Sequence, residues 1–378
     1  MGVRKLTTLR GAGGELVGQL VEVGGMVFSS GITGIDPETG ALSDEPGPQI
    51  ASAFDNLTRL LQQAGASAGD IGQVTVCVPD GVPPDASDGP WGKTFPDAGN
   101  RPARVTHVYD LPPGQLVQVQ VIGVRGEQRR SLQIPGLSEL GPVPAGAQVG
   151  NIVFSSLTRG FDPVSGDLVT DGEQQVAQAF TNVVTLVEQA GGTRDDVAHI
   201  FILVRNRDDN DYTLHSYVDT FSNDGNLPAR KNIYHDALQG TDVLAELQTV
   251  AVVGRGAREN VDLPGFTKSH PNPAGAKLGN LLFTCGIAGE GRGTSLEAQT
   301  ASAFGTMRKV VEAAGGSLDD IGQVSVVVGD YATEPIVLRE WHTLFPDPAD
   351  QPALRVMAFG GRGAGSYGVQ VHMVAALP

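Results

Sequence analysis

The stretch Q-I-A-S-A-F-D-N-L-T-R-L-L-Q-Q-A-G, Gln49 to Gly65, returns as Q-V-A-Q-A-F-T-N-V-V-T-L-V-E-Q-A-G from Gln175 and as Q-T-A-S-A-F-G-T-M-R-K-V-V-E-A-A-G from Gln299. The offsets, 175 − 49 = 126 and 299 − 175 = 124, mark one supersecondary unit written three times with little change in length. In each copy the apolar residues fall at helical spacing, as in Ile50, Phe54, Leu57 and Leu61, so each copy predicts a one-sided helix. Gly65, Gly191 and Gly315 follow where a left-handed C-terminal cap belongs.

Working outward, an acidic residue and a continuously apolar run come next in every copy: Asp70 before I-G-Q-V-T-V-C-V, Asp196 before V-A-H-I-F-I-L-V, and Asp320 before I-G-Q-V-S-V-V-V. Such runs predict strands buried on both faces. A short strand precedes each helix, in M-V-F-S-S, N-I-V-F-S-S or N-L-L-F-T-C, and alternating runs close each unit at Leu116 to Val124, Val243 to Val253 and Val369 to Ala376. The unit reads β-β-α-β-α-β, an α+β sheet backed by helices on one side. Boundaries are expected near 130 and 258, giving units 1–130, 131–258 and 259–378. The linkers carry small apolar knots, Ile134-Pro135-Gly136-Leu137 and Leu263-Pro264-Gly265-Phe266, expected to dock on the preceding unit. Units with strands apolar on both sides bury those faces against one another, here in a closed ring with clefts between neighbours.

The 378 residues carry a net charge of −16, which disfavours nucleic acid, since phosphates call for a basic stripe. The one basic cluster, Arg125, Arg129 and Arg130, reads as a solvated linker. No apolar run approaches membrane-spanning length and the opening residues lack the apolar core of a leader, so a cytoplasmic protein without membrane contact is expected. Cys77 and Cys285 fall in different units, which argues against a disulfide framework. The histidines show no paired ligand spacing, and neither a metal nor a cofactor is inferred. The glycine-rich run Phe359 to Gly368 lies between two strands, so it reads as a hairpin connection and not a phosphate cradle. Prolines and glycines ahead of Trp91 discourage a full second helix in the first unit, where the third unit has Trp341 in a matching segment.

F-S-S-G-I-T-G-I-D-P-E-T-G-A-L, the Gln49 helix with Asn56, the D-I-G-Q-V-T-V strand, and P-A-R-V-T followed by Y-D-L-P together resemble the Rid family, also called YjgF, of reactive-intermediate deaminases. The resemblance covers nearly the whole chain, three times over. It implies a chorismate-mutase-like fold, ligand sites at interfaces, and a homotrimer here made covalent, so that the chain completes its own trimer and leaves room for further pairing.

Carried over by position, the arginine that grips a substrate carboxylate corresponds to Arg104 and Arg230, with Leu354 in the third unit. A guanidinium fork suits a carboxylate through two parallel charge-assisted hydrogen bonds. Arg355, one place later on a strand, is expected on the opposite face. The serine-glycine pair of the pocket is Ser30-Gly31, then Ser156-Leu157, then Cys285-Gly286. Thr106 of the P-A-R-V-T run counts with Ser156 among the substrate-binding residues. The family's water-activating glutamate is matched to Gln120, Gln248 and His372, and its early tyrosine to Val17, Val143 and Asn272. An amide orients water but cannot take its proton.

Cys285 and His372 invite a thiol-imidazole dyad. The plainer reading is that Cys285 fills a serine-sized space in a core and His372 is hydrogen-bonded on a strand. The resemblance implies an enzyme acting on a small carboxylate-bearing imine, enamine or related reactive intermediate by hydrolytic deamination or a diverged reaction. The alternative is a non-catalytic metabolite-binding or scaffold protein that kept the anion pocket and lost the chemistry.

Overall fold

The computed structural model describes residues 4–137, 142–222, 225–236, 238–266, 271–289, 293–359 and 368–378. The run expected as a hairpin connection at Phe359 to Gly368 lies almost wholly outside them.

Three sheets share one strand order. In the first, Lys5–Arg10, Leu16–Val23, Met26–Ser29, Gln118–Val124, Ile71–Val78 and Ala103–Val108 lie side by side. All neighbours are antiparallel except the last pair, which runs parallel with Val74 opposite Arg104. The helix Asp88–Thr94 bridges that parallel pair. Each unit thus has the expected elements and two more strands, one leading and one at the far edge. The leading strand of the second sheet is Arg129–Leu132, paired with Gly146–Val149, so the expected boundary at 130 cuts a strand.

The repeated glutamine explains itself through hydrogen bonds. Gln49 Nε2 donates to Ser43 O and Gly114 O, and its Oε1 accepts from Leu116 N. Gln175 does the same with Val169, Asp242 and Leu244. Each glutamine staples its helix Pro46–Gln63 or Gly172–Gln189 to the loop before the last strand. Asn56 and Asn182, further along the same helices, donate to Thr33 O and Ile35 O and to Arg159 O and Phe161 O. These bonds fix the segment that follows the serine-glycine pair.

As expected, the central strands are buried on both faces. On one face Val74, Val76 and Val78 pack under the first unit's own helices. The other face meets a core to which all three units contribute, including Phe28, Phe154 and Phe283. Each central strand there touches the first hairpin of the next unit, first on second, second on third, and third back on first. Glycine makes room for two of these contacts: a Cβ on Gly72 would lie 2.3 Å from the Phe154 ring, and one on Gly322 2.1 Å from the Phe28 ring. The second unit carries Ala198 at that place.

Arginines at the head of each unit tie the same seams. Arg129 donates from Nη1 to Ala68 O (2.5 Å) and Ile71 O (2.7 Å) of the first unit, and its guanidinium covers the Phe95 ring. Arg258 repeats this on Arg194 O, Val197 O and Phe221 of the second unit. Arg4 repeats it on Leu318 O, Ile321 O and Phe345 of the third, closing the ring. Of the basic cluster expected as a solvated linker, only Arg130 is exposed. Arg129 is a seam clamp, and Arg125 pairs with Glu22 and Asp70.

The knots also depart from expectation. Ile134 and Leu137 pack into the core of the second unit, and Leu263 and Phe266 against that of the third. Each docks on the following unit, because the strand it continues is already the first strand of that unit's sheet. Among the described residues no helix is long and apolar enough to cross a membrane.

Overpacking a seam tests this arrangement. Gly322→Ala should destabilise the chain by about 1–3 kcal/mol, because the Phe28 ring must move within a full core. Urea unfolding midpoints of the variant and of Ala198→Gly, which should lose less, check it.

Candidate functional site

Every cleft takes its arginine strand from one unit and its serine-glycine segment from the next. Between the first and second units, Arg104 N donates to Ser156 Oγ at 3.0 Å, which itself donates to Pro144 O at 2.6 Å. Gln73 Nε2 reaches Ser155 O nearby. Between the second and third units, Asn272 takes the place of that serine, accepting from Arg230 N at 3.0 Å and donating to Arg230 O at 2.8 Å. Between the third and first, Gln323 Nε2 donates to Ser29 O. The arginine and serine-glycine motifs of one unit therefore belong to different clefts.

The first-second cleft holds a cavity of about 280 Å³ lined by Asp88, Arg104, Thr106, Val143, Ser156 and Arg159 among others. Arg104 lies over the Trp91 ring, 4.8 Å from its centroid, and its Nη2 pairs with Asp88. Its Nη1 is buried with no partner. The short helix Asp88–Thr94, seven residues where the third unit has eleven in Glu334–Leu344, brings Asp88 to this place. The proline-rich approach to Trp91 thus reshapes one pocket. Across the cavity Arg159 donates from Nε to Glu246 Oε1 at 2.7 Å and from Nη2 to Gln239 Oε1 at 2.8 Å. The Ser156 hydroxyl is held between two backbone groups, so it positions the seam and is not poised as a nucleophile.

In the second-third cleft Arg230 lies over the Tyr217 ring at 4.7 Å, and its Nη1 is again buried without a partner. Among the described residues it has no carboxylate partner. Burial pulls its pKa down, and the nearby Tyr217 acts in the opposite sense. Cys285 is near enough to couple electrostatically to Arg230. A Cβ on Gly286 would lie 3.1 Å from Gln370 Oε1 and 3.3 Å from Lys231 Cγ.

The third-first cleft has Ser30 and Gly31, but Leu354 stands where the other clefts have arginine and packs against the third unit's core. Arg355 faces inward, as expected, and donates to Gln120 Oε1, the Tyr109 hydroxyl and Cys77 Sγ. The Ser30 amide is spent on Gln19 O, so it is not available to polarise a ligand.

Two expected site residues fall elsewhere. Gln120 and His372, with Gln248, belong to a separate chamber lined by all three units. Gln120 donates to Ser29 O and accepts from Arg355. His372 meets Thr284 through Nδ1 and stacks on His199 at 4.4 Å, and burial, then Lys231, pushes its pKa down to about 3. The described contacts of His372 go to Thr284 and His199, and Cys285 sits in the core of the third unit. The last-strand residues that reach the clefts lie two places earlier: Gln118 beside Gly31, Glu246 behind Arg159, and Gln370 beside Gly286. Side chains two apart share a strand face, so the period alone could not separate these positions. Val17, matched to the family's tyrosine, is fully buried in the first unit's core.

The profile of the endoribonuclease L-PSP family matches residues 14–125 and 139–253. A RutC family protein of Aquifex aeolicus is 34% identical over 108 residues, 28% of this chain and 86% of that protein. A 2-iminobutanoate/2-iminopropanoate deaminase of Salmonella typhimurium is 37% identical over 62 residues, 16% of this chain and 48% of the deaminase, so only about half of that enzyme is matched. The crystal structure of the Rid family protein YyfA from Yersinia pestis, 27% identical, aligns over 33% of this chain and 99% of its own, with a TM-score of 0.31.

The buried histidines make stability depend on pH. His372 and His107 sit at about 3, and His199, depressed by burial and then by His372 and Lys231, lies well below its ordinary value of 6.5. A depressed folded-state pKa means the unfolded chain binds the proton more tightly, so this stability is full above pH 6.5 and is lost as pH falls toward 3. Glutamine stands at the position of His199 in the other two units and at that of His372 likewise. The double variant His199→Gln, His372→Gln should flatten the loss of unfolding free energy between pH 6.5 and 4.5 by up to about 1.4 kcal/mol per pH unit for each histidine. Denaturant titrations across that range check it.

Proposed function

From the premise that this chain belongs to the Rid (YjgF) family, the family of the endoribonuclease L-PSP profile, we propose that it hydrolyses a small carboxylate-bearing imine or its enamine tautomer in two of its three inter-unit clefts. The observation that carries this reading is the same in both clefts: a buried guanidinium whose Nη1 has no acceptor. A buried donor left unpaired costs free energy that a ligand carboxylate would recover. Leu354 offers no such donor, so the third-first cleft takes no part.

The second-third cleft is the principal site in this reading. There Arg230 carries no competing carboxylate, and Gly286 leaves the approach open where the first-second cleft has Leu157. The guanidinium holds the substrate carboxylate and sets the C=N carbon beside Gly286 and Gln370. A water held by the Gln370 amide adds to that carbon and a proton passes to nitrogen. Collapse of the adduct releases ammonia and leaves the 2-oxo acid. In the first-second cleft Asp88, the carboxylate that lines the cavity, orients the water but competes for Arg104. The chain completes its own trimer, so no second copy is needed for either cleft.

A specific observation favours the second reading, a binder without turnover. Gln118 and Gln370 are amides and Glu246 is locked to Arg159, so no cleft presents an unengaged carboxylate on the last strand.

Turnover of 2-iminopropanoate and 2-iminobutanoate, generated in situ by an amino-acid oxidase, tests both. The wild type should accelerate ammonia release. Arg230→Ala should lose about 100-fold in kcat/KM, the worth of a charge-assisted carboxylate contact. Arg104→Ala should lose less, and Asp88→Asn should tighten carboxylate binding in the first-second cleft. Equal rates with and without the wild-type protein would sink the hydrolase reading. Saturable calorimetric binding of a 2-oxo acid that Arg230→Ala abolishes would then establish the binder.

A further inference from the structure

Apart from the clefts, side chains of all three units line a central chamber of about 70 Å³. Among the described residues its walls hold glutamines, histidines, a threonine, a serine, apolar groups, Lys231 and Arg355, and not one carboxylate. Lys231 and Arg355 occupy the same place on matching edge strands, where the first unit has Val105. A homotrimer would put three identical side chains there. The fused chain holds two cations and one apolar residue.

Among the described residues neither side chain has a carboxylate partner, and burial, then Arg355, pulls the Lys231 pKa down to about 7, so its charge is only partly held until an anion arrives. Arg355 spends its donors on Tyr109, Gln120 and Cys77, and burial pushes the pKa values of Cys77 and Tyr109 up, so both are neutral. Lys231 Nζ is buried without a hydrogen-bond partner, lying 5.8 Å from the centroid of the Phe201 ring. His199 Nε2 and His107 Nδ1 are buried without partners as well. An uncompensated buried charge is costly, and so is each unpaired donor.

We propose that this chamber is a binding site for a small inorganic anion of halide size, held by Lys231 and balanced by the charge of Arg355. The volume suits a halide and one water, since a water occupies roughly 30 Å³. It excludes a metabolite of the size the clefts accept. The His199 imidazole, whose Nε2 is buried without a partner, supplies a donor when its tautomer places the N–H there, whereas His372 keeps its proton on Nδ1 toward Thr284 O and His107 on Nε2 toward Gln248 Oε1. The site is independent of the hydrolytic reading, because none of the groups that hold the anion takes part in it.

Two measurements on the intact chain decide the matter. Crystals grown in sodium bromide should show an anomalous peak in the chamber against Lys231 Nζ. In solution, replacing gluconate by chloride at constant ionic strength should stabilise the wild type with a one-site dependence, the apparent folding constant flat below the dissociation constant and rising about tenfold per tenfold chloride above it. Lys231→Met should remove that response. A chamber holding only water in bromide crystals, or a chloride response that survives in Lys231→Met, overturns the proposal. Should Lys231→Met fail to fold, the bromide crystal and the wild-type titration still decide it.

Discussion

A central strand with no polar face governs this molecule. In Ile71–Val78, Val197–Val204 and Ile321–Val328 one face is covered by the helices of the same unit, and the other can be covered only by a neighbour. An isolated unit would leave that second face in water, at roughly 25 cal/mol for each Å² of apolar surface. Three copies on one chain remove the problem without a search for partners. The Phe28, Phe154 and Phe283 contacts and the Arg4, Arg129 and Arg258 clamps then work on the same three seams. Each clamp satisfies carbonyls at the turn into a central strand, so the polar and apolar parts of a seam support one another.

Fusion also frees the seams from symmetry. A homotrimer repeats each side chain three times around its axis, whereas this chain places Val105, Lys231 and Arg355 at one level and Arg104, Arg230 and Leu354 at the next. Since each cleft joins halves of two units, a substitution in one unit changes one wall of one cleft and leaves the opposite wall of another. Arg104 thereby faces Leu157, Arg230 faces the Cys285-Gly286 segment, and Ser30-Gly31 faces a cleft where Leu354 stands in place of the arginine. The unit that keeps both motifs, the first, contributes them to different places.

Much of the site was legible by residue type, and its geometry much less so. Arg104, Thr106 and Ser156 line the first-second cavity, Arg230 hydrogen-bonds across the second-third seam, and Arg355 turns away as strand alternation required. Gln120 and His372 went astray because residues two apart share a face while the sheet edge decides which of them meets a cleft. Asp88, Arg159 and Glu246 were missed: their pairings span from 16 to 87 residues, and no local pattern signals them. The three head arginines did carry a signal, one at the start of every unit, hidden because Arg129 stands among other basic residues.

The sequence by itself determined the threefold repetition, the one-sided helices and the two-sided strands, because these are periodicities of 3.6 and 2 and of whole units, all written along the chain. Only the tertiary structure decided which halves share a cleft, which charges are paired before any ligand arrives, and that Lys231 and Arg355 line one chamber with no carboxylate among the described residues. Those are properties of contacts between distant segments, and a contact has no signature in either segment alone.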